Sequence, residues 1–141
     1  MPAVLVDSNV LLDVMTEDPH WFSWSARALE QAADRFRLVI NPIVYAEVST
    51  LYARIEDVDA ALPSAMIDRE PIPFEAAFLA GKCFLSYRRR GGTKLSPLPD
   101  FFIGAHAAVA GYSLITRDSS RYRTYFPKLS LVAPDAAPLD G

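Results

Sequence analysis

Residues 3–9 read Ala-Val-Leu-Val-Asp-Ser-Asn, four apolar residues followed directly by an acid and two small polar residues. A short, uninterrupted apolar run is typical of a strand that is buried on both faces of a parallel sheet. The run therefore predicts the first strand, with Asp7 at its carboxyl end. Because the functional crevice of an open parallel sheet lies beyond the carboxyl ends of its strands, Asp7 is the first candidate site residue.

Apolar runs alternate with helical patterns along the rest of the chain. Further strands are predicted at 36–40, 112–116 and 129–132, and helices at 9–15, 18–33, 42–54, 57–66, 74–90 and 101–111. Strands separated by helices imply parallel pairing through right-handed crossovers. The predicted fold class is therefore α/β, a three-layer α/β/α sandwich around a central parallel sheet.

The length of 141 residues fits a single domain, which we expect to occupy residues 1–133, with residues 134–141 as a flexible tail. The sequence lacks the run of about twenty apolar residues that a membrane span needs, and its first ten residues lack the basic stretch of a secretory signal. We expect a cytoplasmic protein. Because the net charge is −3, nucleic-acid binding would have to come from a local basic patch.

Four acids fall where predicted strands end or predicted helices begin. Asp7 and Asp118 follow strands, Asp100 opens a helix, and Glu47 lies early in the helix after the second strand. Helical side chains tilt toward the N-terminus, so the carboxylate of Glu47 can reach the same edge of the sheet. Each acid alone is compatible with a cap or a turn, but clustered carboxylates repel one another and require protons or cations. An all-carboxylate set favours Mg²⁺ or Mn²⁺ over Zn²⁺.

The other residue types that bind metals are expected to be structural. His20 and His106 do not form a spaced ligand pair. Cys83 is the only cysteine and has apolar neighbours, so it is expected to be a buried thiol. A disulfide within the chain and a multi-cysteine zinc site are both excluded.

Four segments together resemble the PIN domain, in particular the nuclease toxins of the VapBC type: LVDSNVLLDV (5–14), NPIVYAEVS (41–49), LPDFFIGAHA (98–107) and LITRD (114–118). The resemblance covers nearly the whole chain, and its acidic pattern matches Asp7, Glu47, Asp100 and Asp118. It implies a metal-dependent ribonuclease specific for single-stranded RNA, which forms a homodimer and is inhibited by a cognate antitoxin. Its polar supporting positions match Asn9 and Thr116, and Ser8 is expected to join them.

Hydrolysis of a phosphodiester needs an activated water and stabilisation of charge on the phosphate, which one or two carboxylate-bound ions can supply. We expect Asp7 and Asp100 to bind metal directly. Glu47 is expected to bind metal or to accept a proton from the attacking water, and Asp118 to complete a second ion site or to act through water. The polar residues beside them would orient the carboxylates: Ser8, Asn9 and Thr116.

A basic segment surrounds Gly91 and Gly92, shortly before Asp100. We interpret it as a phosphate clamp for RNA, formed by Arg88, Arg89, Arg90 and Lys94 together with Arg117, with Arg121 and Arg123 as further candidates. The alternative is a solvated helix end, where basic residues also interact favourably with the helix dipole. Phosphate contacts would make the affinity depend on salt.

Three aromatic residues fall within four positions, at Trp21, Phe22 and Trp24. They cannot all share one face of a helix, so we expect Trp21 or Trp24 to point toward a partner, the antitoxin.

Two other functions stay open. A haloacid-dehalogenase-like phosphatase also has an Asp after its first strand, but it normally has a second Asp two residues later, where this chain has Asn9. A catalytically silent interaction module would keep the sheet and use it only to bind a protein.

Overall fold

The computed structural model describes residues 2–135. In this part of the chain five strands form one sheet: β1 (Ala3–Val6), β2 (Arg37–Ile40), β3 (Asp68–Arg69), β4 (Ser113–Ile115) and β5 (Leu131–Val132). The helices are α1 (Ser8–Met15), α2 (Phe22–Arg35), α3 (Pro42–Ser49), α4 (Ile55–Ala61), α5 (Phe74–Arg89), α6 (Pro99–Ala110) and α7 (Ser120–Tyr125).

All strand pairs are parallel and follow the order β3-β2-β1-β4-β5. β1 lies at the centre, and all four of its residues are buried, which explains its uninterrupted apolar run. The predicted α/β/α fold with a parallel sheet is confirmed. The strand order reverses between β1 and β4, so the ends of these two strands meet at the point where open α/β sheets form their functional crevice.

Caps at the helix starts fix the residues that face this crevice. The Asp7 side chain accepts a hydrogen bond from the backbone N–H of Ser8, at 2.8 Å, as α1 begins. The Asn41 side chain accepts from the backbone N–H groups of Ile43 and Val44, at 3.0 and 3.1 Å, as α3 begins. Both caps satisfy helix N–H groups that have no partner within the helix.

Several helix boundaries predicted from the sequence are wrong. Asp18 caps a turn by accepting from the backbone N–H groups of His20 and Trp21, so α2 begins at Phe22 instead of next to Pro19. The helix predicted at 42–54 ends at Ser49, and the following helix occupies Ile55–Ala61 instead of 57–66. Helix ends depend on local hydrogen bonds that apolar periodicity does not reveal.

Two elements were not predicted at all. β3 has two residues, both charged, and pairs with β2 beside an ion pair of 2.8 Å between Arg37 Nη1 and Asp68 Oδ2. α7 has six residues, of which Tyr122 is buried and Tyr125 half-buried. Both elements are too short to show a period in the sequence.

The residues expected to be structural have structural contacts. His106 is buried, with its Nδ1 3.1 Å from Asn41 Nδ2, and burial lowers the pKa of its imidazole. Cys83 is buried, and burial raises the pKa of its thiol. His20 is exposed and donates its backbone N–H to Asp18.

At the C-terminal end of the described chain, Asp135 Oδ1 accepts a hydrogen bond of 2.9 Å from Ser119 Oγ. Most of the predicted tail, residues 136–141, lies outside the described residues. Among residues 2–135, none of the helices has both the length and the apolar character required to span a membrane.

Candidate active site

Asp7 lies at the carboxyl end of β1 and is only 3% exposed. Its Oδ1 accepts from the backbone N–H of Ser8 at 2.8 Å. Its Oδ2 accepts from the hydroxyls of Thr116 and Tyr122, both at 2.9 Å, and from Asn9 Nδ2 at 3.4 Å. Three donors surround Oδ2 and only one reaches Oδ1, so Oδ1 keeps more capacity to bind a further ligand.

Ser8 connects Asp7 to Glu47. While its backbone N–H bonds to Asp7, its hydroxyl donates to Glu47 Oε1 at 2.9 Å. Glu47 lies on α3, which packs against α1, and its side chain is half-buried. The structure therefore brings the carboxylate of Glu47 to the same edge of the sheet as Asp7.

Asp100 is the second residue of α6 and approaches the cluster through Tyr122. The Tyr122 hydroxyl lies 3.4 Å from Asp100 Oδ1, and Nη1 of Arg121 donates to Asp100 Oδ2 at 3.3 Å. The carboxylate is half-buried and has a basic partner, in contrast to that of Asp7.

Asp118 lies at the rim of this group. Its backbone N–H donates to the Thr116 hydroxyl at 3.1 Å, whereas its exposed carboxylate is 3.4 Å from the Ser120 hydroxyl. Its negative charge raises the pKa of Asp100. The structure thus links Asp7 to Glu47 through Ser8 and to Asp100 through Tyr122, and leaves Asp118 more exposed.

The electrostatics of the group reflect burial of negative charge. The pKa of Asp7 is raised to about 6, mainly by burial and in addition by the charges of Asp100 and Glu47, whereas the hydrogen bonds from Tyr122 and Thr116 oppose the rise. The pKa of Glu47 is raised by burial and by the charge of Asp100. Burial also raises the pKa of Asp100, and the Arg121 charge opposes this. Such a cluster gains stability from a bound cation.

A hard divalent ion fits the donor chemistry, because the cluster offers carboxylate oxygens and its members raise one another's pKa. In their present positions, no three His, Cys, Asp or Glu side chains within residues 2–135 converge closely enough to hold an ion. Binding would therefore require carboxylate side chains of the cluster to reorient; Asp118 is exposed and Asp100 half-buried.

Tyr122 is the site residue that the sequence missed. The side chain is 1% exposed, and its pKa is raised well above its usual value by burial and by the charges of Asp7 and Asp100. The hydroxyl therefore stays protonated and acts as a donor to Asp7. Nothing in the sequence pattern reveals where the hydroxyl of this tyrosine points.

The loop of the basic segment, which contains Gly91 and Gly92, is folded around the ring of Tyr87. The Tyr87 hydroxyl accepts from the backbone N–H groups of Thr93 and Lys94, at 3.2 and 3.3 Å, and Nη1 of Arg88 donates to the Lys94 carbonyl at 2.9 Å. A Cβ on Gly92 would lie 2.2 Å from the ring, so only glycine allows the chain to pass so closely. The loop is therefore a fixed structure next to α6.

Arg117, which was predicted to contact RNA, has a structural contact. Its Nε donates to both carboxylate oxygens of Asp13, at 3.1 and 2.8 Å, and its guanidinium carbon is 5.6 Å from the centre of the Trp21 ring. Asp13 is 3% exposed and also accepts from the Ser25 hydroxyl at 2.7 Å. The guanidinium of Arg117 thus connects the β4 end to α1 and α2.

The aromatic segment is partly packed. Trp21 and Trp24 are both half-buried and pack edge to face, with ring centroids 6.3 Å apart. Phe22 is more exposed than either tryptophan, at 38%. The tryptophans therefore present part of their rings to the surface, where a partner could cover them.

Comparison with known proteins agrees with this arrangement. The PIN domain family model matches residues 4–127. The structure is similar to VapBC-1 of nontypeable Haemophilus influenzae, with a TM-score of 0.70, 18% identity and coverage of 93% of this chain and 97% of that chain. It is also similar to VapBC2 of Rickettsia felis, solved with a DNA fragment from its promoter, with a TM-score of 0.69, 18% identity and coverage of 93% and 98%.

A toxin–antitoxin complex from Klebsiella pneumoniae is similar too, with a TM-score of 0.62, 22% identity and coverage of 92% of this chain and 96% of that chain. No curated protein matches the chain in sequence. At these identities the structural similarity establishes the fold, and the family model adds the sequence pattern. An acid-lined crevice at the switch point of a parallel sheet, together with a family model that spans most of the residues, shows that this chain belongs to the PIN domain family.

Proposed function

We propose that this chain is a Mg²⁺- or Mn²⁺-dependent endoribonuclease that cleaves single-stranded regions of RNA, and the toxin of a toxin–antitoxin pair. The observation that carries the proposal is that, in a chain of the PIN domain family, Ser8 links the buried Asp7 to Glu47 and Tyr122 links it to Asp100. The resemblance to VapBC-type toxins adds three expectations: a cytoplasmic location, a homodimer and a cognate antitoxin.

A divalent ion bound by these carboxylates supplies an activated water and stabilises charge on the phosphate. Asp7 and Asp100 would hold the ion; because Oδ2 of Asp7 already accepts three hydrogen bonds, Oδ1 has more capacity for a further ligand. Glu47 would bind the ion or accept a proton from the attacking water, and Asp118 would complete a second ion site or act through water.

Neighbouring polar side chains hold the ligands in place. Ser8 orients Glu47, whereas Thr116 and Asn9 hold Oδ2 of Asp7. Asn9 stands where a haloacid-dehalogenase-like phosphatase normally has its second Asp, and there it donates to Asp7. This contact favours the nuclease over the phosphatase.

The test is RNA cleavage with added Mn²⁺ by purified Asp7→Asn and Asp100→Asn variants. Each variant loses one negative charge from the proposed ligand set, so we expect cleavage to be abolished while the fold is retained. Glu30→Gln, which neutralises an exposed acid on α2, is the matched control and should cleave normally. Full cleavage by either site variant would contradict the proposal.

A further inference from the structure

A cleft of about 330 Å³ opens beside Asp100 and Asp118, between the end of α5 and the helix α7. Its other walls are formed by two arginines, two tyrosines and two hydroxyl residues: Tyr87, Arg90, Ser120, Arg121, Thr124 and Tyr125. The cleft therefore combines two acids of the candidate active site with two arginines, Arg90 and Arg121.

Arg90 is held in place by an aromatic support. Its guanidinium carbon is 5.3 Å from the centre of the Tyr125 ring, and that ring packs edge to face on the buried Phe101 at 5.0 Å. A guanidinium that stacks on a ring keeps the N–H groups at its edge available to an anion. Arg90 is thus oriented before any ligand arrives.

Arg121 forms the second basic group of the cleft. It uses Nη1 to bind Oδ2 of Asp100 at 3.3 Å, and its side chain is 42% exposed. Arginine has five N–H donors, so Arg121 can contact an anion while it stays near Asp100.

The structure separates these two arginines from the rest of the basic segment. Arg88 is bonded to the Lys94 carbonyl within the loop. Neither Arg89 nor Lys94 is among the residues that line the cleft. The clamp that the sequence predicted as one group is therefore divided: of Arg88, Arg89, Arg90 and Lys94, Arg90 alone lines the cleft, together with Arg121.

We propose that Arg90 and Arg121 form a subsite for a backbone phosphate of single-stranded RNA, adjacent to the phosphate that is cleaved at Asp100. This inference rests on the proposed function and adds the route of the strand, which would pass from the two arginines of the cleft to its two acids. A basic groove next to exposed aromatic rings is a common way to bind a single strand, because the groove follows the backbone and the rings contact bases.

The two arginines differ in one measurable way. Arg121 neutralises part of the charge of Asp100, so Arg121→Ala should weaken RNA binding and strengthen Mn²⁺ binding. Arg90 has no such contact with the acids, so Arg90→Ala should weaken RNA binding and leave Mn²⁺ affinity unchanged. If the two variants acted only by removing a positive charge, they would change RNA binding and Mn²⁺ affinity in the same way.

The experiment measures fluorescence anisotropy of a labelled single-stranded RNA oligonucleotide in EDTA over a salt series, and Mn²⁺ affinity by calorimetry. Losing one phosphate contact on a single strand should reduce the slope of log K against log salt by about 0.7. We expect Arg90→Ala to lose roughly tenfold in affinity, as for one charge-assisted hydrogen bond. Arg90→Gln is a second variant, and Arg89→Ala is the matched control with the same charge change.

Equal losses of RNA affinity in Arg89→Ala and Arg90→Ala, or no loss of RNA affinity in Arg90→Ala, would overturn the proposed subsite. So would a wild-type protein that fails to bind the RNA. The binding assay needs no catalysis, so its outcome is independent of the proposed nuclease activity. RNA cleavage by wild-type protein together with unchanged binding by Arg90→Ala would reject the subsite and keep the nuclease.

Discussion

The hydroxyl of Tyr122 donates a hydrogen bond to Oδ2 of Asp7 over 2.9 Å and lies 3.4 Å from Oδ1 of Asp100. It has a single proton to donate, so the shorter contact to Asp7 takes it. Because Tyr122 is buried, water cannot easily replace this donor. The hydroxyl therefore stabilises the ionised form of Asp7 and holds its Oδ2 on the protein side of the cluster.

Tyr122→Phe should raise the pKa of Asp7 further above its present value of about 6, because the Tyr122 hydrogen bond lowers it. An ion must then compete with a proton up to a higher pH, so Mn²⁺ binding should weaken most at mildly acidic pH. Calorimetric titration with Mn²⁺ over a pH series measures this shift.

Tyr45→Phe is the matched control, since it removes a hydroxyl that donates to Asp59 on the surface at 2.8 Å. It should leave the pH profile of Mn²⁺ binding unchanged. Identical pH profiles for wild type and Tyr122→Phe would show that the hydroxyl does not influence Asp7.

The stability of the metal-free protein should fall as the pH rises from about 4 to about 6. The pKa of Asp7 is raised in the fold from 3.8 to about 6, so the folded state holds this proton more tightly than the unfolded state. A shift of this size corresponds to at most about 3 kcal/mol of unfolding free energy, which is lost by about pH 6. Glu47 and Asp100 contribute with the same sign.

Urea denaturation in EDTA at several pH values measures this loss. Asp7→Asn should reduce the dependence on pH, whereas Glu30→Gln should retain it. An equally steep dependence in Asp7→Asn would assign the effect to other groups.

Arg117→Ala should lower the free energy of unfolding by about 3 kcal/mol, since it leaves the buried Asp13 without its basic partner. The double variant Asp13→Asn/Arg117→Ala should recover part of the loss, because no buried charge then remains. Urea denaturation provides both values. Unchanged stability with weakened RNA binding would instead make Arg117 the RNA contact that the sequence predicts.

Trp21→Ala should weaken binding of the cognate antitoxin, which we expect to be encoded beside this chain, by about 2 kcal/mol or more, as for a central aromatic anchor. RNA cleavage by the free protein should persist. Phe74→Ala is the control, because Phe74 is a 91% exposed aromatic residue on a different helix, α5. Recovery of the chain alone after co-expression with its neighbour would count against this partner.

The sequence by itself predicted four of the five strands of the described sheet and identified the acids of the candidate site. The run Ala3–Val6 predicts a buried strand because every side chain in it is apolar, and burial on both faces leaves no position for a polar one. The cap and proline at Asn41 and Pro42 fix the start of α3 and hence the position of Glu47 on it. Each of these features involves residues that are neighbours in the chain, so a sequence pattern can reveal it.

Only the tertiary structure decided which donors and cations meet those acids. Tyr122 lies 115 positions from Asp7, and Arg117 lies 104 positions from Asp13. Contacts of such separation depend on the strand order, which brings β4 beside β1, and on the direction of each side chain. The sequence shows that a tyrosine and an arginine are present, but the fold directs the Tyr122 hydroxyl to Asp7 and the Arg117 guanidinium to Asp13. Packing selects among side-chain directions that the sequence leaves equivalent.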